Sequence, residues 1–226
     1  MPMLQWLPYV MAPRTWLHVL AACALLVATA LWHPDIPTSW PMAEALHHLS
    51  LVCLLYLLGR PFLLRHLAFG AAVLIYGLPL LLMAAPLGHF TYPYATSFGV
   101  LSALMVIAVA VADFRWNTRP LVLPSATILL LLGSVGVLLL PAMQSALPWL
   151  SAFGNDTLLL PIAAVFAGLW AAFSGRTVLM WLLVLTLYAF RTDLFAPISG
   201  WQYLVDPLFL CLAGLQWLEK ITAPSS

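Results

Sequence analysis

Long apolar stretches separated by short polar segments make up the pattern along this chain. Residues 128–140 are apolar almost without interruption and show no period-two alternation, which favours helices over the strands of a barrel. A helix needs about 20 apolar residues to cross a bilayer, within a range of about 17 to 25. On this criterion we predict transmembrane helices at residues 15–32, 41–58, 67–85, 95–112, 121–143, 157–173, 177–190 and 201–218.

The amino-acid composition supports the same interpretation. Of the 226 residues, 64% are hydrophobic and only 7% are charged, whereas a soluble domain carries roughly 25% charged residues. So few charges cannot cover a water-facing surface, and in lipid only helices and closed barrels pair all their backbone polar groups. We therefore predict an all-α fold, a polytopic transmembrane helical bundle that forms a single integral membrane domain over residues 1–226.

The number of helices depends on the join at Ser174-Gly175-Arg176. If these residues form a tight turn, with glycine for the backbone reversal, the chain has about eight helices and both termini are cytoplasmic. Residues 1–14 and 219–226 are then short cytoplasmic ends. If they do not form a turn, the chain has seven helices and its C-terminus lies outside.

The basic residues test the orientation independently of hydropathy. With the N-terminus in the cytoplasm, seven of the eight lie on the inner side and only Arg191 lies outside, as the positive-inside rule expects. The seven are Arg14, Arg60, Arg65, Arg115, Arg119, Arg176 and Lys220. Further spans follow the first helix at once, so we interpret it as an uncleaved helix rather than a secretion signal.

Localisation and partners follow from this threading. We expect a bacterial inner (cytoplasmic) membrane protein, with the lipid bilayer and other membrane proteins as its partners. The net charge of +1 and the lack of a basic run argue against nucleic-acid binding.

Polar residues at the start of the second predicted helix form the densest candidate site. Glu44 lies three and four residues before His47 and His48, so the three side chains can share one helical face. They can hold a metal ion, or a haem through one imidazole, and they can pass protons. The spacing does not match a recognised zinc-binding signature. The alternative to a binding site is that the three are polar residues of a helix N-terminus at the level of the lipid headgroups, where the helix dipole favours Glu44. The cofactor is therefore left unknown, with a metal ion or haem as the candidates.

Two further outer segments contain candidate residues. Asp206 precedes Pro207 inside the eighth predicted helix, where an ionisable residue is costly and often functional. The alternative is that Asp206 caps a helix that begins after it. Arg191 could bind a phosphate or carboxylate, or form an ion pair with Asp193, Asp206 or Glu44.

Three functions are compatible with these residues. The leading hypothesis is a transport or assembly component that binds a small ligand, metal or partner at its non-cytoplasmic face. Its candidate ligand-binding residues are Glu44, His47, His48, Arg191, Asp193 and Asp206. The alternatives are a membrane-embedded enzyme acting on a lipid or lipid-linked substrate at the outer leaflet, and a structural subunit of a larger membrane complex.

The enzyme alternative needs specific roles for these side chains. Asp206 and either His47 or His48 would act as acid and base, and Arg191 would hold a phosphate. The sequence contains no GxSxG, HExxH, Walker or Rossmann motif. Whether the protein is an enzyme therefore stays open.

One local resemblance accompanies these patterns. The run EALHHLSLVCLLYLLGRPFLLR, from Glu44 to Arg65, resembles a helix of the copper-delivery assembly proteins of cytochrome oxidase. It covers about a tenth of the chain, and the further histidine motifs of that family are missing, so no function is carried over. The helix number and small size resemble membrane-embedded lipid hydrolases, whose motifs are also absent.

Overall fold

A computed structural model describes residues 12–31, 40–91, 99–116, 124–138, 159–191, 203–206 and 208–222. Within these ranges the protein is all-helical, with eight helices of 13 to 20 residues and one of five. They are α1 (Pro13–Leu31), α2 (Trp40–Gly59), α3 (Arg65–Met83), α4 (Leu87–Thr91), α5 (Val100–Trp116), α6 (Ala126–Leu138), α7 (Leu159–Phe173), α8 (Thr177–Arg191) and α9 (Leu208–Thr222).

The turn between α7 and α8 confirms that these are two separate helices. Gly175 has a positive φ of 74°, which a residue without Cβ adopts at no steric cost. The Arg176 N–H donates to the Ala171 carbonyl at 2.8 Å, and the Gly175 N–H donates to the Ala172 carbonyl at 3.1 Å. This pair of bonds is a Schellman motif, which ends a helix with its last carbonyls satisfied. The seven-helix alternative is therefore wrong at this join.

Two predicted helix ends are corrected by local backbone structure, and one short helix is added. Helix α9 begins at Leu208 rather than near residue 201, and residues 203–206 are not α-helical. Helix α3 ends at Met83 because Ala84 adopts a left-handed conformation with φ of 60°. The short helix α4, which hydropathy did not predict, follows directly.

Helix α5 lies at the centre of the bundle. It packs against α2, α8 and α9, while α7 packs on α8 and α6 packs on α9. Its buried residues include Leu101, Met105, Val106 and Val109. In contrast, α3 buries only Ala68 and Ala72. The core is therefore built around α5, and α3 is a peripheral helix.

Two glycines permit the close packing of α6 on α9. A Cβ on Gly133 would lie 2.7 Å from the Leu210 side chain, and a Cβ on Gly136 would lie 2.7 Å from the Asp206 Cα. Real Cβ atoms do not approach that closely, so glycine is required at both positions. This contact fixes the segment that contains Asp206 against α6.

Contacts between helix ends show how the bundle is threaded. The end of α2 meets the end of α5 through Arg60 and Asp113, at 3.1 Å. The start of α1 meets the end of α7 through the rings of Trp16 and Phe173, whose centroids are 5.6 Å apart. One end of the bundle therefore gathers several arginines, and we call it the arginine end. Its described basic residues are Arg14, Arg60, Arg65, Arg115 and Arg176.

The outer surface of the described helices carries many large apolar side chains. Leu74, Leu81 and Leu82 of α3 are each more than 70% exposed. Among the described helices, one, α3, is long and apolar enough to cross a membrane by its length and composition. Large exposed apolar patches are typical of surfaces that contact other proteins or a membrane.

Candidate functional sites

A chain of three polar side chains links α2 to α3 at the end opposite the arginines. The Nε2 of His48 lies 3.3 Å from Glu44 Oε1, one helical turn earlier on α2. The Nδ1 of His48 contacts the hydroxyl of Tyr76 on α3. Because an ionised carboxylate only accepts hydrogen bonds, Nε2 donates to Glu44, and in a neutral imidazole Nδ1 then accepts from the Tyr76 hydroxyl. We call Glu44, His48 and Tyr76 the histidine site.

The histidine site is partly open to its surroundings. The side chain of Glu44 is 42% exposed and that of His48 is 22% exposed. Helix α4 lies against α2 and α3 and covers the imidazole of His48 at Gly88. A Cβ on Gly88 would lie 2.6 Å from His48 Cε1, so a larger residue there would displace the imidazole. The imidazole is therefore enclosed, while the carboxylate is accessible to a ligand.

His47 does not share this site. It is only 4% exposed, and its ring centroid lies 6.0 Å from that of His48. In the described part of the chain, no group of three or more His, Cys, Asp or Glu side chains could hold a metal ion. The structure thus brings Glu44 and His48 together but not His47, and the prediction of a metal or haem at the three residues gains no support.

The carboxylate of Asp206 joins two helix N-termini. Its Oδ1 accepts from the Leu208 N–H of α9 at 2.6 Å. Its Oδ2 accepts from the Gly99 N–H and from the Ser102 hydroxyl, the latter at 2.9 Å. The side chain is 3% exposed. The capping interpretation of Asp206 is therefore confirmed, and the same carboxylate also caps α5.

The catalytic hypothesis needs Asp206, a histidine and Arg191 to converge. The described hydrogen-bond partners of Asp206 are Gly99, Ser102 and Leu208, and no histidine is among them. Helices α2 and α9 both pack on α5. They do not form one of the main helix–helix contacts in the described part of the chain. Arg191 is the last residue of α8 and is exposed. Asp193, its nearest predicted partner, lies outside the described residues.

A second polar cluster lies at the arginine end and was not singled out from the sequence. Asp113 Oδ2 accepts from the Tyr56 hydroxyl and from Arg60 Nε, the latter at 3.1 Å. Asp113 is 3% exposed, so this is a buried carboxylate with a cationic partner. Arg65 Nη1 donates to the carbonyl of Phe114 at 3.2 Å. The ends of α2, α3 and α5 are therefore held together by polar contacts.

In the described part of the chain, two apolar cavities of several hundred Å³ lie between the helices. The larger, of about 470 Å³, is lined from α5, α6, α7, α8 and the start of α9, including Met105, Phe166 and Phe209. The smaller, of about 400 Å³, lies between α2, α3 and α5 beside the arginine end. Both volumes are in the range of about 300–1,000 Å³ that is usual for small-molecule sites.

The comparisons with known proteins add no family to this description. No protein-family model, no curated protein and no solved structure matches the chain. The resemblance of residues 44–65 to copper-delivery proteins therefore stays a local one, and the function has to be argued from the sites themselves.

Proposed function

We propose that the chain is a multi-pass inner-membrane protein with eight membrane helices and cytoplasmic termini. The composition supports this, because 7% charged residues cannot cover a water-exposed surface. The exposed leucines of α3 and of the other described helices support it as well. In this arrangement the arginine end faces the cytoplasm, in agreement with the positive-inside rule.

We further propose that the protein acts as a transport or assembly component that binds a small cationic ligand at the histidine site, on the non-cytoplasmic face. The observation that carries this proposal is the interhelical chain formed by Glu44, His48 and Tyr76. Its imidazole is fixed on both sides, and its carboxylate is accessible. The Glu44 carboxylate lies at the opening of a partly enclosed site, where it is suited to bind a small ligand.

The charge of the histidine site selects the class of ligand. Glu44 contributes a carboxylate to the site, and His48 links that carboxylate to the Tyr76 hydroxyl. The described ion pairs give Glu44 no Lys or Arg partner. A ligand that brings a positive charge would compensate the carboxylate, and the rings of Tyr76 and His48 lie beside it for aromatic contact. An organic ammonium group meets these requirements.

The test is binding of small ammonium compounds to the purified protein. Choline, ethanolamine and putrescine are titrated calorimetrically, with acetate as the anionic control. We expect at least one of the three cations to bind, and Glu44→Gln to weaken that binding about tenfold or more, because a charge-assisted contact is lost. Tyr76→Phe should weaken it less, because it removes only a hydrogen bond within the site.

The matched control is Glu219→Gln, which removes the other glutamate of the chain. It should bind as the wild type does. If none of the three cations binds, or if Glu44→Gln and Glu219→Gln behave alike, the proposed ligand class is wrong.

An enzyme is the second candidate, and one observation favours it. A carboxylate, an imidazole and a hydroxyl in sequence are the arrangement that activates a hydroxyl for acid–base or nucleophilic catalysis. His48 would then be the base and Glu44 its orienting group, in place of Asp206. Release of the headgroup from a phospholipid in proteoliposomes, abolished by Tyr76→Phe, would favour this candidate over a binding role.

A further inference from the structure

The smaller cavity is an apolar groove that leads to the arginine end. Its apolar walls include Cys53 of α2, Phe69 of α3, and Val111 and Phe114 of α5. Arg115, on the last turn of α5, also lines it. The groove therefore combines an apolar body with a cationic side chain at one end.

Two further arginines are held beside that end of the groove. Arg65 is positioned by its bond to the Phe114 carbonyl at 3.2 Å. Arg60 is positioned by its bond to Asp113 at 3.1 Å. Arg60 pairs with the buried carboxylate of Asp113, whereas Arg65 donates to a backbone carbonyl, so the arginines at this end outnumber that carboxylate. Because the guanidinium groups of Arg60 and Arg65 are held by protein contacts, little side-chain entropy is lost when an anion binds there.

We propose that this groove binds an anionic phospholipid of the cytoplasmic leaflet, with an acyl chain between α2, α3 and α5 and its phosphate beside Arg65 and Arg115. The argument is charge complementarity at the end of an apolar groove of about 400 Å³. Basic pockets between membrane helices on the cytoplasmic side recognise anionic headgroups in this way. The inference rests on the proposed membrane embedding and is independent of the histidine site.

Native mass spectrometry of the detergent-released protein tests the proposal. Phosphatidylglycerol and phosphatidylcholine with identical acyl chains are added at equal concentration, and the retained lipid is compared. We expect the wild type to retain phosphatidylglycerol preferentially. Arg65→Gln and Arg115→Gln should each lower that preference about fivefold, as expected for one basic residue at the membrane surface.

Two variants separate a specific site from general attraction. Arg176→Gln removes an arginine of the same end that stacks on Trp170 away from the groove, and it should leave the preference unchanged. Val111→Trp places a large side chain into the groove at an exposed position, and it should lower retention of both lipids. Equal retention of the two lipids by the wild type would overturn the proposal, as would equal losses in Arg176→Gln and Arg115→Gln.

A carbonate wash of membranes distinguishes a failure of the groove proposal from a failure of the proposed membrane embedding. Protein that stays in the washed membrane but shows no lipid preference contradicts the groove proposal alone. Protein that is released into the wash contradicts the membrane embedding, and the groove proposal fails with it.

Discussion

Replacing Asp206 with alanine is expected to lower the free energy of unfolding by about 3–5 kcal/mol, because buried donors at two helix N-termini lose their acceptor. The donors are the N–H groups of Gly99 and Leu208 and the hydroxyl of Ser102. Since Asp206 is 3% exposed, water does not replace the carboxylate. Thermal unfolding in detergent should show a melting temperature lower by about 6–20 °C.

Two milder variants keep this prediction testable if Asp206→Ala fails to accumulate. Ser102→Ala removes one of the three donors and should cost about 1 kcal/mol. Asp206→Asn retains an acceptor oxygen and should be intermediate between Ser102→Ala and Asp206→Ala. An Asp206→Ala protein as stable as the wild type would show that the carboxylate does not hold α5 and α9 together.

Replacing Arg60 with methionine is expected to cost about 3 kcal/mol, because it leaves the carboxylate of Asp113 buried without its cation. The side chain of Asp113 is 3% exposed, and Arg60 Nε lies 3.1 Å from its Oδ2. The loss should appear as a melting temperature lower by about 6–12 °C in the same detergent assay.

A double variant tests the cause of that loss. When Arg60→Met is combined with Asp113→Asn, the buried charge is removed as well, and at least half of the stability should return. Tyr56→Phe, which removes only the hydroxyl that donates to Asp113, should cost about 1 kcal/mol. If the double variant is less stable than Arg60→Met, the ion pair does not explain the effect.

The helices could be predicted because their signals are local. A run of apolar residues predicts each of the eight longer helices, and Gly175 indicates the turn between α7 and α8. The cap at Asp206 could also be predicted, because an Asp before a Pro is a helix-start signal within a few residues. Hydropathy places the start of α9 too early, because apolar residues continue through residues 203–206, where the backbone is not α-helical.

The candidate site could be predicted only in part, because its partners are distant in the sequence. Glu44 and His48 lie one helical turn apart, so their contact follows from helix geometry. Tyr76 comes from another helix, and nothing near it in the sequence marks it as a partner of His48. The same holds for Asp113, whose partners Tyr56 and Arg60 lie on α2. The burial of His47 was likewise decided by tertiary packing rather than by its spacing from Glu44.

Accessibility of single cysteines in spheroplasts tests the central claim, that the bundle spans a membrane with the histidine site at its non-cytoplasmic end. Cys23, Cys53 and Cys211 are first replaced by serine or alanine. One reporter is then introduced as His89→Cys on α4, beside the histidine site. The other is introduced as Ser125→Cys at the start of α6, where the side chain of Gln216 donates to the Pro124 carbonyl. Both positions are exposed.

A membrane-impermeant maleimide should label the His89→Cys protein in intact spheroplasts. It should label the Ser125→Cys protein only after the spheroplasts are lysed. Labelling of both positions from the same side, or recovery of the protein in the soluble fraction, would contradict the claim.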